Sequence, residues 1–187
     1  MKKSVRAGTY LAPVPVVLVS CGREKEANLI TLAWAGTVNS EPPIVSISIR
    51  YQRHSYKLVE ESGEFTVNLV AKDMVRATDL CGIVSGKDTD KFGLSGLTPC
   101  AGERVSCPYV KESPLSLECK VIKKVEFPTH AVFFGEVVNA IADEKFLDEK
   151  GKPVLPSDLL AAYVNGKYVS TQETLGSYAY TAKELKK

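Results

Sequence analysis

The sequence predicts a mainly β chain, a barrel or sandwich with a few short helices at its margins. Short runs rich in Val, Ile, Thr and Phe recur at 14–20, 28–34, 44–50, 65–70, 115–125 and 131–142, with Gly, Pro, Asn and Ser between them. The run from Ile44 to Arg50 alternates strictly: Val45, Ile47 and Ile49 share one face, and Ser46, Ser48 and Arg50 lie on the other with Ile44. Helical signals are few and short.

Taken in order, the PVPVVLVS run at 13–20 reads as the first strand. Lys2 and Lys3 ahead of apolar residues suggest a leader, but Arg6 and Gly8 interrupt it and no small-residue cleavage site follows, so none is expected. The HSYKLVEES segment before Gly63 has helical character, and from Phe65 to Leu69 the apolar positions alternate with Thr66 and Asn68, as in a half-buried strand. Asp73 is expected to cap a helix through Leu80, with Gly82 as its C-terminal glycine. A loop rich in charge, Gly and Pro follows at 145–157, then a short helical turn at 157–162. Asn165-Gly166 between Tyr163 and Tyr168 is the signal of a tight hairpin. No internal repeat is visible.

Composition narrows the function. With 187 residues and 44% hydrophobic content the chain is expected to form one domain, 1–187, with a real core. Its 24 basic and 22 acidic residues leave a net charge of +2, which offers no general field for nucleic acid or anionic lipid. The longest apolar stretch, at 11–20, carries prolines and falls short of the ~20 residues of a membrane span, so no membrane association is expected. The five cysteines, Cys21, Cys81, Cys100, Cys107 and Cys119, contain no C-x-x-C pair. That argues against a zinc or iron–sulfur site, leaves no metal to expect, and predicts reduced thiols in a cytoplasmic protein. Free cysteines are most often small buried hydrophobes, and Cys81, at an apparent helix end beside the Ser85-Gly86 loop, is the one to weigh for a redox role, which requires a lowered pKa. There is no G-x-G-x-x-G and no G-x-x-x-x-G-K-[ST], so a nicotinamide nucleotide is not expected to meet a Rossmann domain.

The stretch 28–56 holds the densest chemistry. The polar face of the 44–50 run ends in Arg50, and Arg53, His54 and Ser55 follow where the strand gives way to a helix. Hydroxyls, guanidiniums and the N–H groups of a helix start are what a phosphate requires. The alternative is a solvated sheet face followed by an ordinary helix cap.

Asn28, Thr31, the Ala33-Trp34-Ala35-Gly36-Thr37 run, Pro42-Pro43, Ser46 to Arg50 and His54-Ser55 together resemble the flavin reductase-like family, and especially its flavoredoxin branch. The likeness continues in order through Gly63 to Asn68, Cys81-Gly82, Ser85-Gly86, Asp90-Lys91-Phe92, His130, Gly135-Glu136-Val137 and Leu175-Gly176. It therefore covers nearly the whole chain. The resemblance implies an FMN-binding split β-barrel that works as a homodimer and passes electrons from NADH or NADPH through flavin to free flavin, ferric chelates or a redox protein partner. It implies that Asn28 and Thr31 contact the polar chain or ring edge, and that the backbone of Leu32, Ala33 and Trp34 meets the pyrimidine side. Ser48 and Arg50 would face ribityl and phosphate, His54 and Ser55 would grip the phosphate, Lys91 would add a cation, and Cys81 would border the flavin. His130 becomes the candidate catalytic residue, orienting the donor or supplying a proton; Thr129 stands before it where many members carry an acid. A flavoredoxin-type carrier fed by a protein donor and a non-enzymatic flavin binder remain alternatives. The pyridoxamine phosphate oxidase branch fits less well, because its site requires more cations.

Overall fold

The structure is a computed structural model that describes residues 1–170 and 173–181. In chain order the strands and helices are β1 (Val14–Pro15), β2 (Val17–Cys21), β3 (Asn28–Leu32), β4 (Ala35–Ser40), β5 (Pro43–Arg50), α1 (His54–Ser62), β6 (Glu64–Leu69), α2 (Val75–Ile83), α3 (Lys91–Ser95), β7 (Pro99–Cys100), β8 (Tyr109–Val110), β9 (Leu115–Glu126), β10 (His130–Ala142), β11 (Ala161–Val164) and β12 (Lys167–Ser170). The chain is mainly β, as the alternating runs predict.

The main sheet is antiparallel and seven-stranded, in the order β3-β2-β6-β9-β10-β5-β4. Its edges, β3 and β4, are not hydrogen-bonded to each other, so the barrel is present in part, as a curled sheet left open at a seam. Ala33 and Trp34 carry the chain across that seam, and the Trp34 carbonyl accepts the Ser48 N–H at 3.0 Å. A smaller sheet, β1-β11-β12, lies beside it.

The core follows from side-chain period. Val45, Ile47 and Ile49 of β5 are buried as the alternation requires, and meet Phe65, Val67, Phe133 and Val59 inside the curl. Each large apolar side chain so buried contributes about 1.5–3 kcal/mol. Strand β2 is buried on both faces: Val17, Val19 and Cys21 join that cluster, while Leu18 and the neighbouring Val16 join a second one with Leu29, Met74, Phe92 and Ala161. That second cluster fixes α2, α3 and β11 against the outside of β2 and β3.

Several elements differ from the sequence reading. The 13–20 run is broken: β1 pairs with β11, whereas β2 pairs with β3 and β6. Pro15 has no N–H for a continuing ladder, and the chain changes partner there. Asp73 is not a helix cap; Lys72–Met74 form a 3-10 turn, and α2 begins at Val75 without a side-chain cap. Nor does Gly82 end the helix, which runs on to Ile83. A Cβ at Gly82 would stand 3.4 Å from Thr31 Cβ, so this glycine lets α2 lie close on β3. No helix forms at 157–162. Leu160 bridges Ala71, and Ala161 N–H donates to Val70 at 2.9 Å, so pairing with the 70–72 segment overrides local propensity. Strand β4, exposed along most of its length, has no apolar alternation to announce it. The hairpin forms as expected: Asn165 and Gly166 both take positive φ, 47° and 81°, and join β11 to β12. No helix among the described residues is long and apolar enough to cross a membrane.

Candidate functional site

The seam of the main sheet carries a trough made of two adjoining cavities. The larger, about 410 Å³, is lined by the end of β3 with Ala33 and Trp34, by Ser48 and Arg50 of β5, by His130, and by Tyr163 and Tyr168 of the hairpin. The smaller, about 110 Å³, lies between the start of α1 and α2, among Asn28, His54, Ser55, Cys81, Gly86 and Lys91. Ile30, Arg53 and Gly82 border both. No aspartate or glutamate is among the described residues lining either cavity, in a chain that contains 22 of them. The trough is a cationic place by exclusion of acids.

At the small end the architecture is built from buried polar groups. Asn28 Nδ2 donates to Ser55 Oγ at 2.7 Å, and both residues are buried. A Cβ on Gly86 would come within 2.0 Å of Asn28 Oδ1, so only glycine lets the 85–86 loop approach that amide. Lys91 is 5% exposed, and its ammonium donates to the Cys81 carbonyl at 2.7 Å. Its other protons remain for a ligand. Burial, with Arg53 nearby, pushes Lys91 below the usual lysine range, although the neighbouring Cys81 thiol acts the other way. Arg53 is the N-cap residue of α1, and its side chain does not cap the helix. The first N–H groups of a helix have no partner within it, and they carry the positive end of its dipole. A buried ammonium, a guanidinium and a helix start meet at one small cavity, a set of groups whose chemistry suits a dianion.

At the large end the groups are aromatic and basic. The ring centroids of Trp34 and His130 lie 4.9 Å apart with planes tilted by 37°, and Trp34 is 46% exposed. His130 opens β10 and pairs directly with Arg50, the last residue of β5. Its Nδ1 is 2.8 Å from Thr129 Oγ1. Partial burial, and then the Arg50 charge, lower the His130 pKa and favour the neutral ring. Thr31 Oγ1 donates to the Thr78 carbonyl at 2.5 Å and leaves its lone pairs toward other donors. The hairpin wall is tied down by Tyr168, whose hydroxyl donates to Asp79 at 3.0 Å; burial and that carboxylate raise its pKa to about 12.

The residues read from the sequence are thus gathered around one trough, but divided between its ends. Thr31, Leu32, Ala33, Trp34, Ser48, Arg50 and His130 line the large cavity; Asn28, His54, Ser55, Cys81 and Lys91 line the small one. Leu32 turns its side chain into the core, and β3 ends there, so Ala33 and Trp34 lie outside any strand. Cys81 offers its carbonyl, not its thiol: it is buried, and burial raises its pKa. That is the opposite of the lowered pKa a reactive thiol requires. Arg53, which borders both cavities, is the residue whose importance the sequence understated, although it stood in the basic cluster. Tyr163 and Tyr168 gave no sequence signal of proximity to the trough.

A curled, open antiparallel sheet with an acid-free trough at its seam, cations and a helix start at one end and an aromatic surface at the other, suits a flavin-binding protein of the split-barrel class. Residues 9–172 match the model of the flavin reductase like domain, and the chain belongs to the flavin reductase-like family, on its flavoredoxin branch. It is similar to the flavoredoxin of Desulfovibrio vulgaris (Miyazaki F), with 34% identity, 97% and 100% of the two chains covered and a TM-score of 0.89. It is similar also to the flavoredoxin of Methanosarcina acetivorans, with 32% identity, 99% of each chain covered and a TM-score of 0.91. An FMN-binding protein of Thermus thermophilus shares the fold at 23% identity, with 94% of this chain and 100% of that chain covered and a TM-score of 0.81.

Proposed function

We propose that the chain is an FMN-dependent oxidoreductase that takes electrons from NADH or NADPH and delivers them, through the flavin, to free flavin, a ferric chelate or a protein acceptor. The observation that carries this reading is the division of the trough: Lys91, Arg53, Ser55 and the start of α1 at the small end, Trp34 and His130 at the large one. The group fits these residues. The small end suits a phosphate, and an isoalloxazine would lie along the large cavity beside Ala33 and Trp34, which lie outside any strand, the Trp34 carbonyl being already taken by Ser48. When bound, the flavin supplies the hydride and electron chemistry. The protein's part is to hold the phosphate, to admit the ring beside a small residue at Ala33, and to keep His130 at the open face. There its neutral imidazole, held by Thr129, orients the donor or moves a proton at Nε2.

Homodimerisation is part of the proposal. Val38, on the edge strand β4, is 50% exposed, and a second copy is the partner that would cover it and complete the open side of the cleft. Light scattering should give twice the 20.4 kDa chain mass. The free cysteines, four of them buried, suit a reducing compartment, in keeping with a cytoplasmic enzyme.

A second reading is favoured by the similarity to the two flavoredoxins: a carrier whose flavin is fed by a protein donor. Anaerobic mixing of the FMN-loaded protein with NADH or NADPH decides between them. Bleaching of the flavin band within seconds supports the oxidoreductase; bleaching only with a reduced protein donor selects the carrier.

A further inference from the structure

We propose that the Arg50 end of the cleft is a second anion site, distinct from the phosphate site, and that it docks an oxyanionic group on the planar molecule that meets the flavin. The substrate class is therefore aromatic or heteroaromatic anions, carrying a carboxylate or a phosphate. This rests on the reading of the trough as a flavin site.

The charges do not balance with flavin alone. Arg50, Arg53 and Lys91 bring three formal positive charges to the trough, and no described acid lines it. A phosphomonoester brings about −1.5 to −2 at pH 7. Arg53 and Lys91 border the small cavity and match that charge; Arg50 borders the large cavity alone. No described salt bridge involves Arg50.

Its position gives the surplus charge a use. Arg50 stands opposite His130 in the β5–β10 ladder, and His130 in turn packs against Trp34. Arg50 and Trp34 line the same cavity, so a planar ring laid on the half-open indole shares it with the guanidinium. That fork recognises a carboxylate or phosphate in bidentate fashion, as a lysine does not. His130, beside Arg50, adds a hydrogen-bonding group at the same edge.

Trp34 is the chain's one tryptophan, so its fluorescence reports on this end of the trough with or without flavin. FMN-loaded and FMN-free protein are each titrated with benzoate against benzamide, and with nicotinamide mononucleotide against nicotinamide riboside, which differ by the phosphate. At least one oxyanion should bind roughly tenfold or more tighter than its uncharged-edge counterpart. Arg50→Gln should remove that preference, and Arg50→Lys should restore part of it. Preference for benzoate alone points to a carboxylated acceptor, and preference for the mononucleotide alone to a phosphate-bearing donor. Equal binding within both pairs, or a preference that survives in Arg50→Gln, overturns the proposal. Failure of FMN itself to bind, read by flavin fluorescence, instead overturns the flavin reading, while the FMN-free titration still judges the Arg50 site.

Discussion

Arg50 and His130 are direct cross-strand partners, the last residue of β5 facing the first of β10. A guanidinium so close to an imidazole disfavours its protonation, and partial burial adds to the effect, burial being the larger cause. One sheet register therefore sets the position of the candidate catalytic residue and adds to the lowering of its pKa.

The pH dependence of His130 tests that relationship. The chain has two histidines, His54 and His130, so proton NMR of the imidazole resonances is readily assigned with a His54→Gln variant. His130 should titrate below an ordinary histidine, and Arg50→Gln should move its midpoint upward. The folded pKa is depressed, so the unfolded chain binds the proton more readily; His130 should cost stability as pH falls through the ordinary histidine range, and cost nothing above it. An unchanged midpoint in Arg50→Gln would remove the electrostatic coupling.

His130→Ala should slow anaerobic reduction of bound flavin by about 10²- to 10⁴-fold if the imidazole moves a proton, and by less if it only orients the donor. FMN affinity should barely change, because His130 stands at the end remote from Lys91. Stopped-flow absorbance gives the rate, and a wild-type value would make His130 structural.

At the small end, Lys91→Met and Arg53→Gln should each weaken FMN binding by about 1.5–3 kcal/mol, the worth of a charge-assisted hydrogen bond. FMN affinity should also fall at high pH, and fall sooner than for an ordinary lysine, because burial has already lowered the Lys91 pKa and the phosphate requires the charged form. Flavin fluorescence titration across pH reads both effects. Lys91→Met should flatten the alkaline loss; if it persists unchanged, the ammonium is not the phosphate ligand.

Gly86→Ala should disturb the Asn28–Ser55 pair, since the new methyl would lie 2.0 Å from Asn28 Oδ1 unless the loop retreats. Overpacking of this kind costs about 1–3 kcal/mol. Urea unfolding should show the loss, accompanied by weaker FMN binding; full stability with full affinity would mean that the loop has no part in the site.

Glu118 is fully buried and accepts from the N–H groups of Glu103 and Arg104, at 2.7 and 3.0 Å, and from Asn139 Nδ2 at 2.9 Å. Glu118→Ala strands those donors, at about 1–3 kcal/mol for each left unsatisfied. The denaturant midpoint should drop, with FMN affinity at the distant trough little changed. An unaltered midpoint would show that water replaces the carboxylate at no cost.

The sequence by itself determined what depends on neighbours along the chain. Alternation in Ile44 to Arg50 put Val45, Ile47 and Ile49 inside and the hydroxyls and Arg50 outside, because side chains of a strand alternate whatever the strand pairs with. Asn165-Gly166 specified a hairpin, because those residues accept the positive φ that the turn imposes. The basic cluster before α1 was legible as cations gathered at a helix start, because a helix start exposes N–H groups wherever it lies. Tertiary structure decided what depends on partners remote in sequence. Residues 70–72 drew 159–161 into pairing instead of a helix, since inter-segment hydrogen bonds outweigh a weak local preference. The ladder that sets Arg50 against His130 joins residues far apart in the chain, and it separates Arg50 from the Lys91 end although Arg53 is close by in sequence. Charge proximity across a trough is a property of that pairing, and no local pattern encodes it.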